Sequence, residues 1–505
     1  MDPRFDLFLG PKAESFELLR ELVLQVLYAH ARWRRSQYPE DGSLYPSGLP
    51  SSDALPALQE TLAEFLHRLE RNIPFSHPRY VGQMLKDPAI PAIVAYLATL
   101  LVNPNNHAYE GGPVTTEMEL EVVEDLKRML GFRGGWGHLT SGGTLANMEA
   151  MWAVRDTLEE GAVVFSAGSH YSWKRLCSIL RIGKWREIPV DRFYRMDLDA
   201  LESVLRSERV MMVVANLGTT GTGSVDPLPE ILQLREKYGF HLHVDAAYGG
   251  YARSLLLDED GRLRDRAELQ WMSQELYRSL LALSDADSVT IDPHKHGLVM
   301  YGAGGLVFRA ERFRQTLLNT APYTYHVRQR PNLGMFTLEG SRPGAAAAAT
   351  WFTHRLMPLH ARGLGLILQE TLLGAREFAE RLPKETDWEA LVPPELDIVC
   401  FHPKREGRTL AELNRLAEAL YAEMSVEAEE PEFIFSKFVV DPQTAGRLLG
   451  QQEGMDSGWI TLRGVFIKHW LRLGAKPTYL DRMIAALGAW GEKQGVGKKT
   501  RRPER

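Results

Sequence analysis

Residues 288–309, SVTIDPHKHGLVMYGAGGLVFR, decide how the rest of the 505-residue chain is read. Val289, Thr290 and Ile291 form a short β-branched run, Asp292-Pro293-His294-Lys295 turns polar, and a second apolar run covers Gly305 to Phe308. Apolar runs bounded by Pro and Gly predict two buried strands joined by a turn. A lysine at the end of a buried strand sits where its charge is costly to keep. Burial disfavours the ammonium form, and the free amine is the form that attacks carbonyls. Lys295 is therefore a candidate Schiff-base lysine, with an exposed loop lysine as the ordinary alternative.

Strands and helices alternate on the N-terminal side of this stretch. His138-Leu139-Thr140 leads into Ser141-Gly142-Gly143-Thr144 and a helix over Leu145 to Leu158. Strands follow at Ala162–Phe165, Val210–Ala215 and Phe240–Val244, with helices from Trp173 to Ile182 and from near Asp226. This alternation predicts an α/β fold with a mainly parallel central sheet covered on both faces. Ligands of such sheets lie at the carboxyl ends of the strands. His170, Thr219, Asp245 and Lys295 each fall just past a predicted strand.

Beyond the sheet, amphipathic helices are expected over about 14–35 and 53–71, around a Pro/Gly/Ser-rich loop, Tyr38 to Ser52. Unable to close a core alone, they pack on their own domain or on a second subunit. Further helices are expected over Ile90–Leu101, Glu117–Leu130, Ala345–Arg355 and about 363–382. Runs at Asp397–His402, Phe433–Val440 and Thr461–Phe466, with a helix at Thr409–Met424, predict a smaller C-terminal α+β domain. The expected division is 1–85 N-terminal helical, 86–360 large, 361–494 small, and 495–505 a basic disordered tail.

Composition narrows the function. A net charge of -6 offers no general attraction to nucleic acid or anionic lipid. Cys177 and Cys400 are the only cysteines and show no metal spacing, which fits a reducing cytoplasm. The opening MDPRFDLFLG lacks the basic-then-apolar pattern of a secretory signal. The apolar stretch Ala89 to Val102 is too short to span a bilayer.

The chemistry converges on one group. Small residues at a helix start turn backbone N–H groups toward an anion, so Ser141-Gly142-Gly143 is a candidate phosphate site. It matches neither a dinucleotide fingerprint nor a nucleotide-triphosphate loop. An imine-forming lysine, a carboxylate at Asp245, a histidine at His170 and an anion seat together suit pyridoxal 5'-phosphate. Asp245 would pair with the ring nitrogen and keep it protonated, and His170 would stack on the ring face. His241 and His243 share a strand face, but with no third ligand evident they read as packing beside the site rather than as a metal pair.

These residues lie in motifs that resemble the pyridoxal-phosphate-dependent group II decarboxylases, of the aspartate aminotransferase-like fold (fold type I). The chain is most similar to the tyrosine/aspartate decarboxylase branch. The motifs are NPNNHAYEGGPVTTEME (Asn103 to Glu119), TSGGTLANMEA (Thr140 to Ala150), GTTGTGSVDP (Gly218 to Pro227), HVDAAYGG (His243 to Gly250) and DPHKHG (Asp292 to Gly297).

The resemblance implies that Lys295 carries the cofactor as an imine and that His294, Ser141, Gly142, Gly143 and Thr220 hold it. It implies that Asp245 pairs with the pyridinium, Ala247 lies beneath the ring and His170 stacks on it. Ser341 would reach the phosphate of the neighbouring subunit, so a homodimer is implied. Tyr301 would protonate Cα, with the Tyr323–Tyr325 segment as a competing source. Arg472 would receive the substrate carboxylate, with Asn106 and Tyr109 also contacting substrate. His107 stands where the tyrosine-specific relatives carry a smaller side chain, so aspartate, tyrosine and other aromatic amino acids all stay open. The implied reaction is decarboxylation of an L-amino acid to an amine. An aldehyde-forming synthase or a carbon–carbon lyase is the alternative on the same scaffold.

Overall fold

The computed structural model describes residues 2–42, 54–320, 322, 325, 330–450 and 457–494. The expected tail 495–505, Tyr323 and most of the loop before residue 54 lie outside the described residues. Seven strands build the central sheet: β1 (Trp136–Thr140), β2 (Ala162–Ser166), β3 (Trp185–Ile188), β4 (Val210–Asn216), β5 (His241–Asp245), β6 (Ser288–Ile291) and β7 (Gly304–Phe308). Their order is β1-β7-β6-β5-β4-β2-β3. The run from β3 to β6 is parallel, and β7 is antiparallel to both neighbours. The sheet is thus mainly parallel, as the alternation predicts. Every residue of β4, β5 and β6 is buried, because helices cover both faces.

Strand β3 escapes a reading by apolar runs. It is a short edge strand whose first three residues are exposed, so burial never selected an apolar pattern there.

The helices that position the site are α1 (Phe16–Ser36), α2 (Ala54–Glu70), α3 (Ile90–Leu100), α4 (Pro113–Leu130), α5 (Gly143–Thr157) and α6 (Ser172–Ile179). Gly131 ends α4 in the left-handed conformation, φ 79°, which a glycine adopts without strain. A second sheet, ordered β10-β11-β9-β8, comprises β8 (Trp388–Ala390), β9 (Ile398–Pro403), β10 (Ser436–Val440) and β11 (Trp459–Val465), all antiparallel. With the long helix Leu364–Glu385 and the helices Leu410–Glu423 and Tyr479–Lys493, it buries its own core around Phe378, Trp388, Phe401 and Phe466.

The chain before α3 packs in more than one place. Phe5 and Phe8 join the core of the large domain, whereas Val81 packs in the core of the small one. The Val81 N–H donates to the Ile434 carbonyl at 2.9 Å, and the Val81 carbonyl accepts from the Val465 N–H at 2.7 Å. Residues 80–81 thereby extend the small sheet's region toward the large domain. No helix among the described residues is long and apolar enough to cross a membrane.

Candidate active site

Five strand ends, those of β1, β2, β4, β5 and β6, converge on a cavity of about 380 Å3. Lys295 follows β6 in a turn closed by its own N–H on the Asp292 carbonyl. Its Nζ lies 3.1 Å from Asp292 Oδ2, and His294 Nε2 approaches the same oxygen at 3.5 Å. Asp292 is buried, so these neighbours compensate a charge that would otherwise be costly. Burial pushes the His294 imidazole below its usual range. Its Nδ1 is buried and has no hydrogen-bond partner among the described residues.

Asp245 ends β5, the neighbouring strand. Its Oδ2 accepts from Asn147 Nδ2 at 2.8 Å and from the Trp173 indole N–H at 3.1 Å. Its Oδ1 accepts from the Ala247 N–H at 3.3 Å. Three donors therefore hold this buried carboxylate in place. Asn147 is held in turn by His243 Nε2, 3.1 Å from its Oδ1. Burial pushes His243 down to about 3 and His241 to about 4, so both are neutral. Both approach the Ser288 hydroxyl at 2.8 Å.

The turn Ser141-Gly142-Gly143 opens α5 on the cavity wall. At Gly143 an added Cβ would stand 2.8 Å from Asp292 Oδ2 and 3.1 Å from Ala247 Cβ, so only glycine lets the turn lie this close to the lysine segment. Glu339 accepts from the Ser141 N–H at 3.0 Å and from its hydroxyl. His170 lines the opposite side with Thr219 and Thr220. Its Nδ1 is 2.7 Å from the Ser172 hydroxyl, and burial lowers its pKa, so the ring is neutral and fixed in orientation. A second hollow of about 490 Å3 shares His170, Tyr171 and Thr220 and opens toward the small domain.

These residues fit pyridoxal 5'-phosphate. The amine and the fixed carboxylate stand on adjacent strands. A helix start offers N–H groups to a phosphate, and His294 Nδ1 lacks a hydrogen-bond partner among the described residues, which a polar ligand would supply. Ala247, with its small side chain, leaves the space over Asp245 open.

Other expected contacts lie elsewhere. Arg472 does not line the cavity, because its Nη1 and Nε are bound by Glu370 at 2.8 Å and Glu377 at 2.9 Å on the long helix. Asn106 is turned inward, its amide donating to Glu119 at 2.7 Å and to the Thr115 carbonyl at 3.1 Å. Tyr109 donates to Glu117. Neither lines the cavity of its own chain. Ser341 accepts from Asn105 Nδ2 at 3.0 Å. Tyr301 stands outside the lining as well, its ring 4.7 Å from that of His294 and its hydroxyl on the Met84 carbonyl. Tyr325 is hydrogen-bonded to His107.

Sequence reasoning missed Asn147, Trp173 and Arg463. Asn147 lies one helical turn beyond Gly143, a spacing that marks it as facing the same side. Arg463, on β11, is 4 % exposed and pairs with no carboxylate among the described residues. Its guanidinium donates to the carbonyls of Thr220 (2.8 Å), Gly221 (3.0 Å) and Gly82 (3.1 Å), the first of these a cavity residue.

Comparison with known proteins agrees with this geometry. Residues 52–404 match the model of the pyridoxal-dependent decarboxylase conserved domain. The chain is 32 % identical to the L-tyrosine decarboxylase of Levilactobacillus brevis, covering 83 % of each chain. It is 30 % identical to the L-aspartate decarboxylase of Thermococcus kodakarensis, over 68 % of this chain and 84 % of that one. The fold matches the crystal structure of Oryza sativa TDC with PLP and tryptamine at a TM-score of 0.71, with 16 % identity and coverage of 94 % of this chain and 99 % of that one. Lys295 and Asp245 facing one cavity from the ends of neighbouring strands, in a chain so matched, have one reading: the protein belongs to the pyridoxal-dependent decarboxylase family, and pyridoxal 5'-phosphate is its cofactor.

Proposed function

We propose that this enzyme decarboxylates an L-amino acid with an aromatic or acidic side chain, tyrosine and aspartate first among them, and that it works as a cytoplasmic homodimer. The observation that carries the reading is Lys295 and Asp245 facing one cavity from adjacent strands, with a glycine turn and His170 closing the other sides. The cofactor supplies an aldehyde for the lysine and a protonated ring that accepts the electron pair left at Cα when CO2 departs.

The chain's own residues do the rest. Asp245, fixed by Asn147 and Trp173, holds a negative charge against the ring nitrogen. Ser141, Gly142, Gly143, Thr220 and His294 hold the phosphate, and Ser341 reaches the phosphate in the partner subunit. His170 covers one ring face and Ala247 leaves room at the other. Arg463, a buried cation that pairs with no carboxylate among the described residues, is favoured over Arg472 as the group that attracts the substrate carboxylate. Tyr301 or Tyr325 delivers the proton to Cα; burial raises the Tyr301 phenol, which keeps it protonated at neutral pH.

The dimer is supported by α1 and α2. No residue of α1 is buried, and Leu62, Phe65 and Leu66 of α2 are each about half exposed. Apolar rows of this kind in a folded chain mark a covered surface. The test of the reaction is a panel of amino acids incubated with the holoenzyme, scored for CO2 and amine. Amine from one aromatic or acidic amino acid is expected. Formation of aldehyde or keto acid alone would refute the reading.

A further inference from the structure

The small domain sends one carboxylate into the wall of the cofactor cavity. Asp397, just before β9, is fully buried. Its Oδ1 accepts the Tyr248 hydroxyl at 2.6 Å and lies 3.4 Å from His296 Nε2. The Tyr248 and His296 rings are themselves 4.6 Å apart. Tyr248 lines the cavity three residues past Asp245, and His296 directly follows Lys295. One side chain of the small domain therefore touches both segments that hold the cofactor.

The approach is built into the backbone. A Cβ on Gly218 would come within 2.6 Å of Leu396 Cδ1, and one on Gly249 within 2.7 Å. Those glycines lie in the loops after β4 and β5, so Leu396 fills space that any side chain there would take. The Phe466 N–H donates to the Asp397 carbonyl at 2.7 Å, which ties the same residue to the end of β11. Burial alone would raise the Asp397 carboxyl, but the His296 imidazole and the Tyr248 and Thr371 hydroxyls outweigh it and hold it below the usual range. Lys86 acts on Asp397 and Arg463 on Tyr248 as further charges.

We propose that Asp397 is a positioning residue: its carboxylate, shared between Tyr248 and His296, sets the placement of the Asp245 and Lys295 segments and makes it depend on the small domain. This rests on the cofactor reading above. Asp397 touches neither substrate nor cofactor, and its effect passes through the two rings it binds. Networks of this kind, enclosed in low dielectric, align groups more strongly than isolated surface bonds do.

The test uses the holoenzyme and Asp397→Asn. The amide keeps an oxygen for the Tyr248 hydroxyl and loses the charge facing His296. The visible absorption of the bound cofactor is expected to persist, while its induced circular dichroism weakens. A kcat loss of about ten- to a hundred-fold is expected from a small misplacement of the reacting groups, with KM changed less than about twofold. Tyr248→Phe removes only the hydroxyl and is expected to shift the dichroism in the same direction. Asp397→Asn with wild-type dichroism and kcat would overturn the proposal. If that variant does not fold, unchanged dichroism in Tyr248→Phe overturns it instead. The two failures are distinguishable: a wild-type protein without a cofactor band refutes the site, whereas a wild-type band that the variants leave untouched refutes only Asp397.

Discussion

Replacing Asp245 with asparagine removes one charge and almost no volume, which makes it the sharpest perturbation of this site. The wild-type Oδ2 accepts from Asn147 and Trp173, so an amide would keep its oxygen on that side. Its NH2 would then face the Ala247 N–H and the ring nitrogen, donor against donor. The geometry survives and the charge does not. A unit charge at hydrogen-bond distance, about 3 Å, in an effective dielectric of about 20 is worth roughly 5 kcal/mol as an upper bound. If half of that reaches the transition state, the loss is about a hundred-fold in rate. The expected kcat of Asp245→Asn is therefore lower by about two to four orders of magnitude. Cofactor should still load, because Lys295 and the glycine turn are unaltered. Steady-state CO2 release, normalised to bound cofactor by absorbance, measures this. A cofactor analogue carrying a fixed positive charge on the ring nitrogen should restore part of the rate, since it no longer needs the carboxylate to stay cationic. Fully loaded Asp245→Asn with more than about a tenth of wild-type kcat would show that the charge is not what the site supplies.

The two arginines separate cleanly. Arg463→Gln is expected to raise KM by about ten-fold or more through loss of a buried cation, whereas Arg472→Ala, which frees only Glu370 and Glu377, should leave KM unchanged; initial rates against substrate concentration decide it. Burial pushes Lys468 down to about 7 and Lys86 to about 8, from 10.5 in both cases. Between those values the unfolded lysine keeps a proton that the folded one has shed, so stability rises with pH from about 7 toward 10. Lys468→Met should flatten that rise, worth on the order of a few kcal/mol, when Tm is followed across the range. Leu62→Glu with Phe65→Glu should give a particle near the 57.0 kDa of one chain in light scattering, against a dimer for the wild type.

Much of the site was legible because its groups lie in short local patterns. Each strand-end residue is announced by the apolar run before it and the small residues after it, and Lys295, Asp245 and His170 all follow that rule. Asn147 was missed because a polar residue inside a helix looks the same whether it faces solvent or the sheet. Arg463 was missed for a different reason. Its acceptors are at residues 82, 220, 221 and 436, and no window of sequence holds them together. The nearby HWLRLG motif offered Arg472 instead, whose partners lie about a hundred residues away on the long helix.

The same distinction explains why the substrate is harder to read than the cofactor. The cofactor's seat is made by consecutive strands of one sheet, so topology alone brings its parts together. The substrate's surroundings come from elements with no such constraint. Arg463, the group proposed for the substrate carboxylate, comes from β11, while its acceptors Gly82 and Thr220 lie on two other segments. His107 meets Tyr325 across more than two hundred residues, and neither lines its own chain's cavity. If α1 and α2 pair with a second copy, that His107–Tyr325 contact becomes a candidate wall of the partner's site rather than its own. His107→Ala would then alter the choice between aromatic and acidic amino acids while leaving cofactor absorbance untouched. An unchanged preference would place the specificity in the small-domain hollow beside His170 and Thr220.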